Sequence, residues 1–325
     1  MKRYNILHVS PTPLVDAPRK VSDALRMFTE YESSILIFND YPGRLKGVFS
    51  NQSIIFDNNK ELAIQLIQQA DVIHIHNFLS KEQEKIIIEN SSSEVCFVYQ
   101  VHSPLREGPN FTYYESALIN FDIKCVISQY HSRLYPDFEI VPNIVLQKPT
   151  VNLIGKNETP RVLFSPAHNR VGGRWNDKYS SELMDVLSFL NKSGKINLVV
   201  SEGAVAPYEL HLIRMRSHIT IDEIVTGAFH QVSLEGLCAG NVVVNNADCF
   251  SCNLFESFIE ADDFLPFFKV SNFNVYDRFV SLVENKSLIA EYQNKSYNFF
   301  NRYLMPGHMI MHFKKLYDKV IDNDF

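Results

Sequence analysis

The feature that most limits what this chain can fold into is its rhythm. Short runs rich in Ile and Val alternate from the start with stretches of helical period: YNILHVS, PRKVSDALRMFTEY, SSILIFN, KELAIQLIQQA, DVIHIHN. A short continuous apolar run reads as a strand buried on both faces. Strands separated by helices run parallel, because each helix carries the chain back to the end at which the previous strand began. The rhythm goes on through KEQEKIIIEN, EVCFVYQVH, YYESALIN, FDIKCVIS and FEIVPNIV. It predicts a mostly parallel sheet wrapped on both faces by helices over residues 1–145.

After VPNIV the rhythm stops for QKPTVNLIGKNETP, a polar stretch with Pro149 and Pro160 that suits a hinge between domains. It then restarts with RVLFSPA, YSSELMDVLSFLNKS, INLVVSE, PYELHLIRMR, SHITIDEI, HQVSLEGLCAG and NVVVNN, and three helical stretches close the chain. At 325 residues the chain exceeds what one core usually supports. The expected architecture is therefore α/β: two Rossmann-like doubly wound domains facing a cleft. The first spans 1–145 and the second 146–304, and a helix over 305–325 packs back towards the first. Ligands of such sheets bind beyond the carboxyl ends of the strands, so function is to be sought in the loops there.

Bulk properties exclude several classes. A net charge of -6 argues against a broad nucleic-acid surface. No apolar run is long enough to cross a bilayer, and the apolar stretch in MKRYNILHVSPTP is too short for a signal peptide. The expected location is cytoplasmic. Five cysteines, Cys96, Cys125, Cys238, Cys249 and Cys252, suggest reduced, mostly structural thiols. No G-x-G-x-x-G follows a strand and no Walker loop is present, which argues against nicotinamide, flavin and P-loop chemistry. His74 and His76 share one face of a strand, but no third ligand is evident near them, and no essential metal or cofactor is expected.

The stretch TGAFHQVSLEGLCAGNVVVNN carries the most specific chemistry. A turn ahead of a helix offers unpaired amides to a phosphate, here from Gly227, Ala228, Phe229, His230 and Gln231. Glu235, a little over one turn inside that otherwise apolar helix, has two readings of equal weight. It accepts hydrogen bonds from ligand hydroxyls such as those of a ribose, or it caps its own helix or pairs with a neighbouring Lys.

The segment IDEIVTGAFHQVSLEGLCAGNVVV resembles the carboxylate signature of GT-B glycosyltransferases, in particular glycosyltransferase family 4. In that family two Glu residues separated by seven others precede a small-residue helix end and a Pro/Val strand. Leu234, Glu235, Ala239, Gly240 and Val242 to Val244 fall into this register, so the ribose-binding Glu maps onto Glu235. The other Glu, which faces the donor sugar, maps onto Gly227; Asp222 and Glu223 stand five and four residues upstream as substitutes. ILHVSPTPL, DVIHIHN, VYQVHSP and VPNIV are similar to further family segments in the same order, so the resemblance runs along nearly the whole chain.

What the resemblance implies is a retaining glycosyltransferase that moves a sugar from a nucleotide-sugar donor to a glycan, lipid-linked or other hydroxyl acceptor, in surface glycan biosynthesis, and that is compatible with peripheral membrane association. His102 and Glu223 would be the catalytic residues, with His102 near the sugar. Glu235 would hold the ribose, the 227–231 turn the phosphates, and Arg174 and Lys178, from the cluster that also holds Arg170, the diphosphate. Two other readings stand beside it: a non-catalytic GT-B module binding a glycan or a partner transferase, and a sugar-nucleotide epimerase.

Overall fold

The computed structural model of the chain describes residues 3–40, 53–102, 113–129, 135–166, 180–201 and 205–322. They divide into two compact units, residues 1–146 with 306–325, and residues 147–305.

In the first unit the strands are β1 (Asn5–Ser10), β2 (Glu32–Ile37), β3 (Ser53–Ile55), β4 (Val72–His76), β5 (Cys96–Val101), β6 (Ile123–Ile127) and β7 (Glu139–Val141). The helices are α1 (Ala17–Phe28), α2 (Lys60–Gln69), α3 (Lys81–Asn90) and the single turn α4 (Tyr113–Ser116). The sheet order is β3-β2-β1-β4-β5-β6-β7, and each pairing is parallel. Burial explains the strand sequences, since all five residues of β4 are inaccessible. Leu7, Val9, Ile73, Ile75 and Tyr99 belong to one apolar core with Ala63 and Ile67 of α2 and Ile87 of α3. Local chemistry sets the helix starts. Asn59 accepts from the amide of Leu62, and Ser80 with Gln83 forms a capping box.

The second unit holds β8 (Arg161–Phe164), α5 (Ser181–Lys192), β9 (Asn197–Val200), α6 (Pro207–Met215), β10 (Ile219–Ile221), α7 (Gln231–Cys238), β11 (Val242–Asn245), α8 (Cys249–Phe258), β12 (Phe267–Lys269), α9 (Val275–Glu284) and α10 (Lys286–Tyr303). Its parallel sheet runs β12-β11-β10-β8-β9. The apolar run of β11 is buried throughout, as a central strand covered on both faces requires. Gly236 lets α7 lie close on this sheet, because a Cβ there would stand 2.8 Å from Cγ2 of Val243 and 3.4 Å from Thr220.

The last helix, α11 (Pro306–Ile321), belongs to the first unit. Met309, Ile310, Phe313, Leu316, Tyr317 and Val320 form its buried stripe, spaced as one face of a helix. Both sheets have the doubly wound parallel architecture, with the order of winding reversing between β1 and β4 in the first and between β8 and β10 in the second. No described helix is long and apolar enough to cross a membrane.

Candidate functional site

Reversal of winding opens a crevice at the carboxyl ends of the flanking strands. In the first unit the strands on either side of the reversal both carry histidine. The parallel register sets His8 of β1 opposite His74 of β4 and His76 opposite Gln100 of β5, which brings their side chains to one face of the sheet. His8, His74 and His76 are all 0% exposed. His8 Nδ1 lies 2.9 Å from His76 Nε2, and His76 Nδ1 lies 2.7 Å from His102 Nε2 just beyond β5. His74 Nδ1 meets the Tyr317 hydroxyl of α11 at 2.6 Å, with Cys125 Sγ 3.9 Å from its other nitrogen.

The third imidazole that the spacing of His74 and His76 did not reveal is therefore His8. One ring nitrogen from each of the three lies within 4.8 Å of the others, a set able to hold a metal ion. Burial is the main cause that makes these rings neutral. It pushes His8 down to about 3 and His74 and His76 well below the usual imidazole range, and neighbouring imidazoles add to the effect. His102 is half-buried as a residue, and burial pushes its imidazole down to about 3. Asn77, with a left-handed φ of 64°, accepts the backbone N–H of His102 at 2.9 Å and so ties the end of β4 to the end of β5. On the same face the buried side-chain amide of Gln100 has no partner among the described residues at either of its polar atoms.

In the second unit the loop after β10 is built around two carboxylates. Asp222 accepts from the His230 amide at 2.6 Å, from His230 Nδ1 at 3.2 Å and from Ser233 Oγ at 2.8 Å. Glu223, 0% exposed, accepts from the amides of Val225 (2.6 Å) and Thr226 (2.8 Å) and from the Thr226 hydroxyl. Both oxygens of Glu223 are thus engaged in holding the turn. Ser233 also accepts from Asn245 Nδ2 at 3.1 Å, which joins α7 to the ends of β10 and β11. The turn delivers α7 with His230 as its N-cap and no side chain hydrogen-bonded across the cap.

The five turn residues expected at a phosphate occupy different settings. Gly227 has φ of 78°, a left-handed conformation that side chains other than glycine rarely adopt. Glycine at this position therefore has a backbone reason. The amides of Ala228 and His230 donate inside the turn, to Thr226 Oγ1 and Asp222. The ring of Phe229 is fully buried against Phe255 and Phe267. Gln231 opens the helix, with its amide nitrogen 3.4 Å from Glu235 Oε1. Arg174 and Lys178, with Arg170, lie outside the described residues.

Glu235 meets an arginine from the preceding helix. Its Oε2 meets Nη1 of Arg214 at 2.9 Å, and that guanidinium, from the end of α6, is only 1% exposed. Arg214 Nε and Nη2 are buried without a partner among the described residues. A guanidinium so deep demands a counter-ion, and the pairing holds the Glu235 carboxylate in place. Arg214 gave no local signal in the sequence, because its pairing joins two helices across an intervening strand.

No family model and no curated protein matches the chain. The solved structures similar to it share its fold at low identity. One is a sucrose-phosphate synthase from Thermosynechococcus elongatus, 10% identical with a TM-score of 0.59 over 99% of this chain and 100% of the other. Another is an alpha-glucosyltransferase solved with UDP-glucose and DNA containing an abasic site, 10% identical with a TM-score of 0.61 over 98% and 100%. A putative UDP-N-acetylglucosamine 2-epimerase from Listeria monocytogenes is 12% identical with a TM-score of 0.56 over 95% and 94%. The fold is thereby GT-B: two Rossmann-like parallel-sheet domains.

Proposed function

We propose that this GT-B chain is a glycosyltransferase that moves a sugar from a nucleotide-sugar donor to a hydroxyl acceptor, with retention of anomeric configuration and without an essential metal, on a cytoplasmic glycan-building route. The observation that carries the reading is the second unit's loop after β10. Asp222 and Glu223 shape a turn that presents α7 without a side-chain cap, and Glu235 stands behind it as a carboxylate fixed by buried Arg214. An uncapped helix N-terminus attracts phosphate through its free amides and its dipole. A pre-ordered carboxylate accepts the two hydroxyls of a ribose in a fixed orientation. Glu223 serves here by ordering the turn. Arg174 and Lys178 supply positive charge for the nucleoside diphosphate that leaves as the anomeric bond breaks. His102 faces the sugar.

UDP-glucose accompanies one similar structure, and UDP-N-acetylglucosamine 2-epimerase is the description of another, so uridine nucleotides are the first ligands to try. Glu235→Ala would strand the Arg214 charge and confuse misfolding with lost binding. Glu235→Gln keeps an acceptor for Arg214 and removes the ribose-binding charge. Calorimetry with UDP should show binding to the native chain and roughly tenfold or more weaker binding to Glu235→Gln, as loss of a charge-assisted hydrogen bond predicts. Equal affinity in both refutes the site. The epimerase descriptions favour a second reading, sugar-nucleotide epimerisation. Donor turnover in the absence of any acceptor would select it.

A further inference from the structure

The second unit carries a Cys-x-x-Cys pair, Cys249 and Cys252, that the sugar-transfer reading does not use. Cys249 is the first residue of α8 and is exposed, whereas Cys252 is buried. α8 itself is the crossover between the parallel strands β11 and β12. A Cys-x-x-Cys in a βαβ unit, with one thiol outside and the other inside at the start of a helix, is an arrangement suited to thiol–disulfide exchange. Cα atoms at i and i+3 of an α-helix stand about 5 Å apart, within the roughly 4.4–6.8 Å that a disulfide spans. Cys249, being exposed, can turn its thiol towards Cys252 without disturbing the core.

A second feature belongs to the buried sulfur. Lys269, the last residue of β12, donates from Nζ to Cys252 Sγ at 3.1 Å and to the backbone carbonyl of Ala247. The carbonyl fixes where the ammonium stands, and the ammonium faces the sulfur. Burial is the main cause that pushes the Cys252 thiol up, with Glu256 and Asp248 adding to it, and the Lys269 charge works the other way. A cation at hydrogen-bond distance favours the thiolate, which is the form that attacks a disulfide. A cysteine that only fills space needs no cation beside it. Among the described residues no further metal-ligating side chains gather with the two thiols, so the same spacing does not build a zinc site here.

We propose that Cys249 and Cys252 are a redox-active dithiol that exchanges with low-molecular-weight disulfides and closes reversibly into an intrahelical disulfide, with Lys269 as the positioning residue of Cys252. Cys249 Sγ, the sulfur that a small disulfide can reach, attacks one sulfur of that molecule. The S–S bond breaks, and the departing thiol carries the proton that Cys249 gave up. Cys252 Sγ then attacks Cys249 Sγ, and the second thiol leaves with the proton of Cys252. Two thiols of the chain are thereby oxidised to one disulfide, and one small disulfide is reduced to two thiols. Excess small thiol runs both steps backwards.

The intact chain, reduced and then equilibrated in mixtures of oxidised and reduced glutathione, is quenched with acid, alkylated and read by peptide mass spectrometry. The peptide holding Cys249 and Cys252 should lose both alkylation sites together, in a fraction that follows the glutathione ratio, and dithiothreitol should restore them. After brief exposure the mixed adduct should sit on Cys249, and in Cys252→Ser it should persist. Lys269→Gln keeps a donor for the Ala247 carbonyl and drops the charge. Its adduct should last about threefold longer, because a tenfold loss of thiolate is partly offset by greater nucleophilicity, while Lys269→Arg should resolve as the native chain does. Thiols at both positions that stay fully alkylated in oxidised glutathione overturn the proposal. So does a disulfide from Cys249 to a second chain in place of Cys252, or an equivalent of zinc in the reduced chain that Cys252→Ser loses. An unchanged adduct lifetime in a folded Lys269→Gln overturns the part given to Lys269. If that variant does not fold, the order of adduct and disulfide in the native chain and in Cys252→Ser decides. No nucleotide enters these measurements, so the dithiol and the sugar-transfer reading fail separately.

Discussion

Acidification should unfold this protein through its histidine face. His8, His74 and His76 are fully inaccessible, and burial holds His8 down to about 3 and the other two well below the usual range. In the unfolded chain each returns to about 6.5. The folded value is the lower one, so the stability these rings contribute is fully present above the unfolded pKa and is lost as pH falls below it. Between about pH 7.5 and about pH 5.5 the unfolded chain gains close to one proton at each ring while the native chain gains none, which costs about 1.4 kcal/mol per imidazole, or about 4 kcal/mol for the three. His102 and His218, both pushed down chiefly by burial, act in the same direction. The groups around the cluster do not offset it. Tyr317 and Cys125 are held neutral by burial, and the Arg26 charge works against protonation of His8. A loss of about 4 kcal/mol is a large part of the roughly 5–15 kcal/mol that holds a typical domain. Urea unfolding of the intact chain at the two pH values, followed by far-ultraviolet circular dichroism, measures it. A change under about 1.5 kcal/mol in the transition of the first unit would refute the reasoning, because it would mean that these rings are charged or hydrated in the native state.

Two substitutions test packing, one in each unit. Tyr317→Phe removes the partner of His74 Nδ1 and leaves that nitrogen buried alone; a loss of about 1–3 kcal/mol in urea unfolding is expected, and no loss would mean that the bond contributes nothing. Gly236→Ala sets a methyl 2.8 Å from Val243 Cγ2, and the overpacking cost of about 1–3 kcal/mol outweighs the helix propensity gained; a lower melting temperature checks it, and a higher one would mean that α7 moves freely off the sheet.

Much of the architecture was legible in the chain. The Ile/Val runs became parallel strands, and the helical stretches near the end became α9, α10 and α11. Short elements were harder to see. The ten residues CFSCNLFESF, which the strand and helix rhythm does not mark, form α8, with Cys249 exposed and Cys252 buried. β12 has only three residues, too few to show a period. YYESALIN read as a helix, yet only one turn forms, where Tyr113 and Tyr114 pack on the ring of Tyr99. At Glu235 the sequence left two roles open, and it gave no sign of the ion pair with Arg214, twenty-one positions earlier.

What the sequence determined by itself is what periodicity and backbone chemistry encode within a few residues: parallel α/β order, the apolar stripe of α11, the caps, and His74 and His76 on one strand face. What only the tertiary structure decided is which distant residues meet. His8 joins His76 because β1 and β4 pair in one register out of several the chain would allow, and Tyr317 reaches His74 because α11 belongs to the first unit. The physical reason is range. A side chain's direction follows from its neighbours in the chain, whereas its partner follows from the burial of whole faces, and that is a property of the complete core.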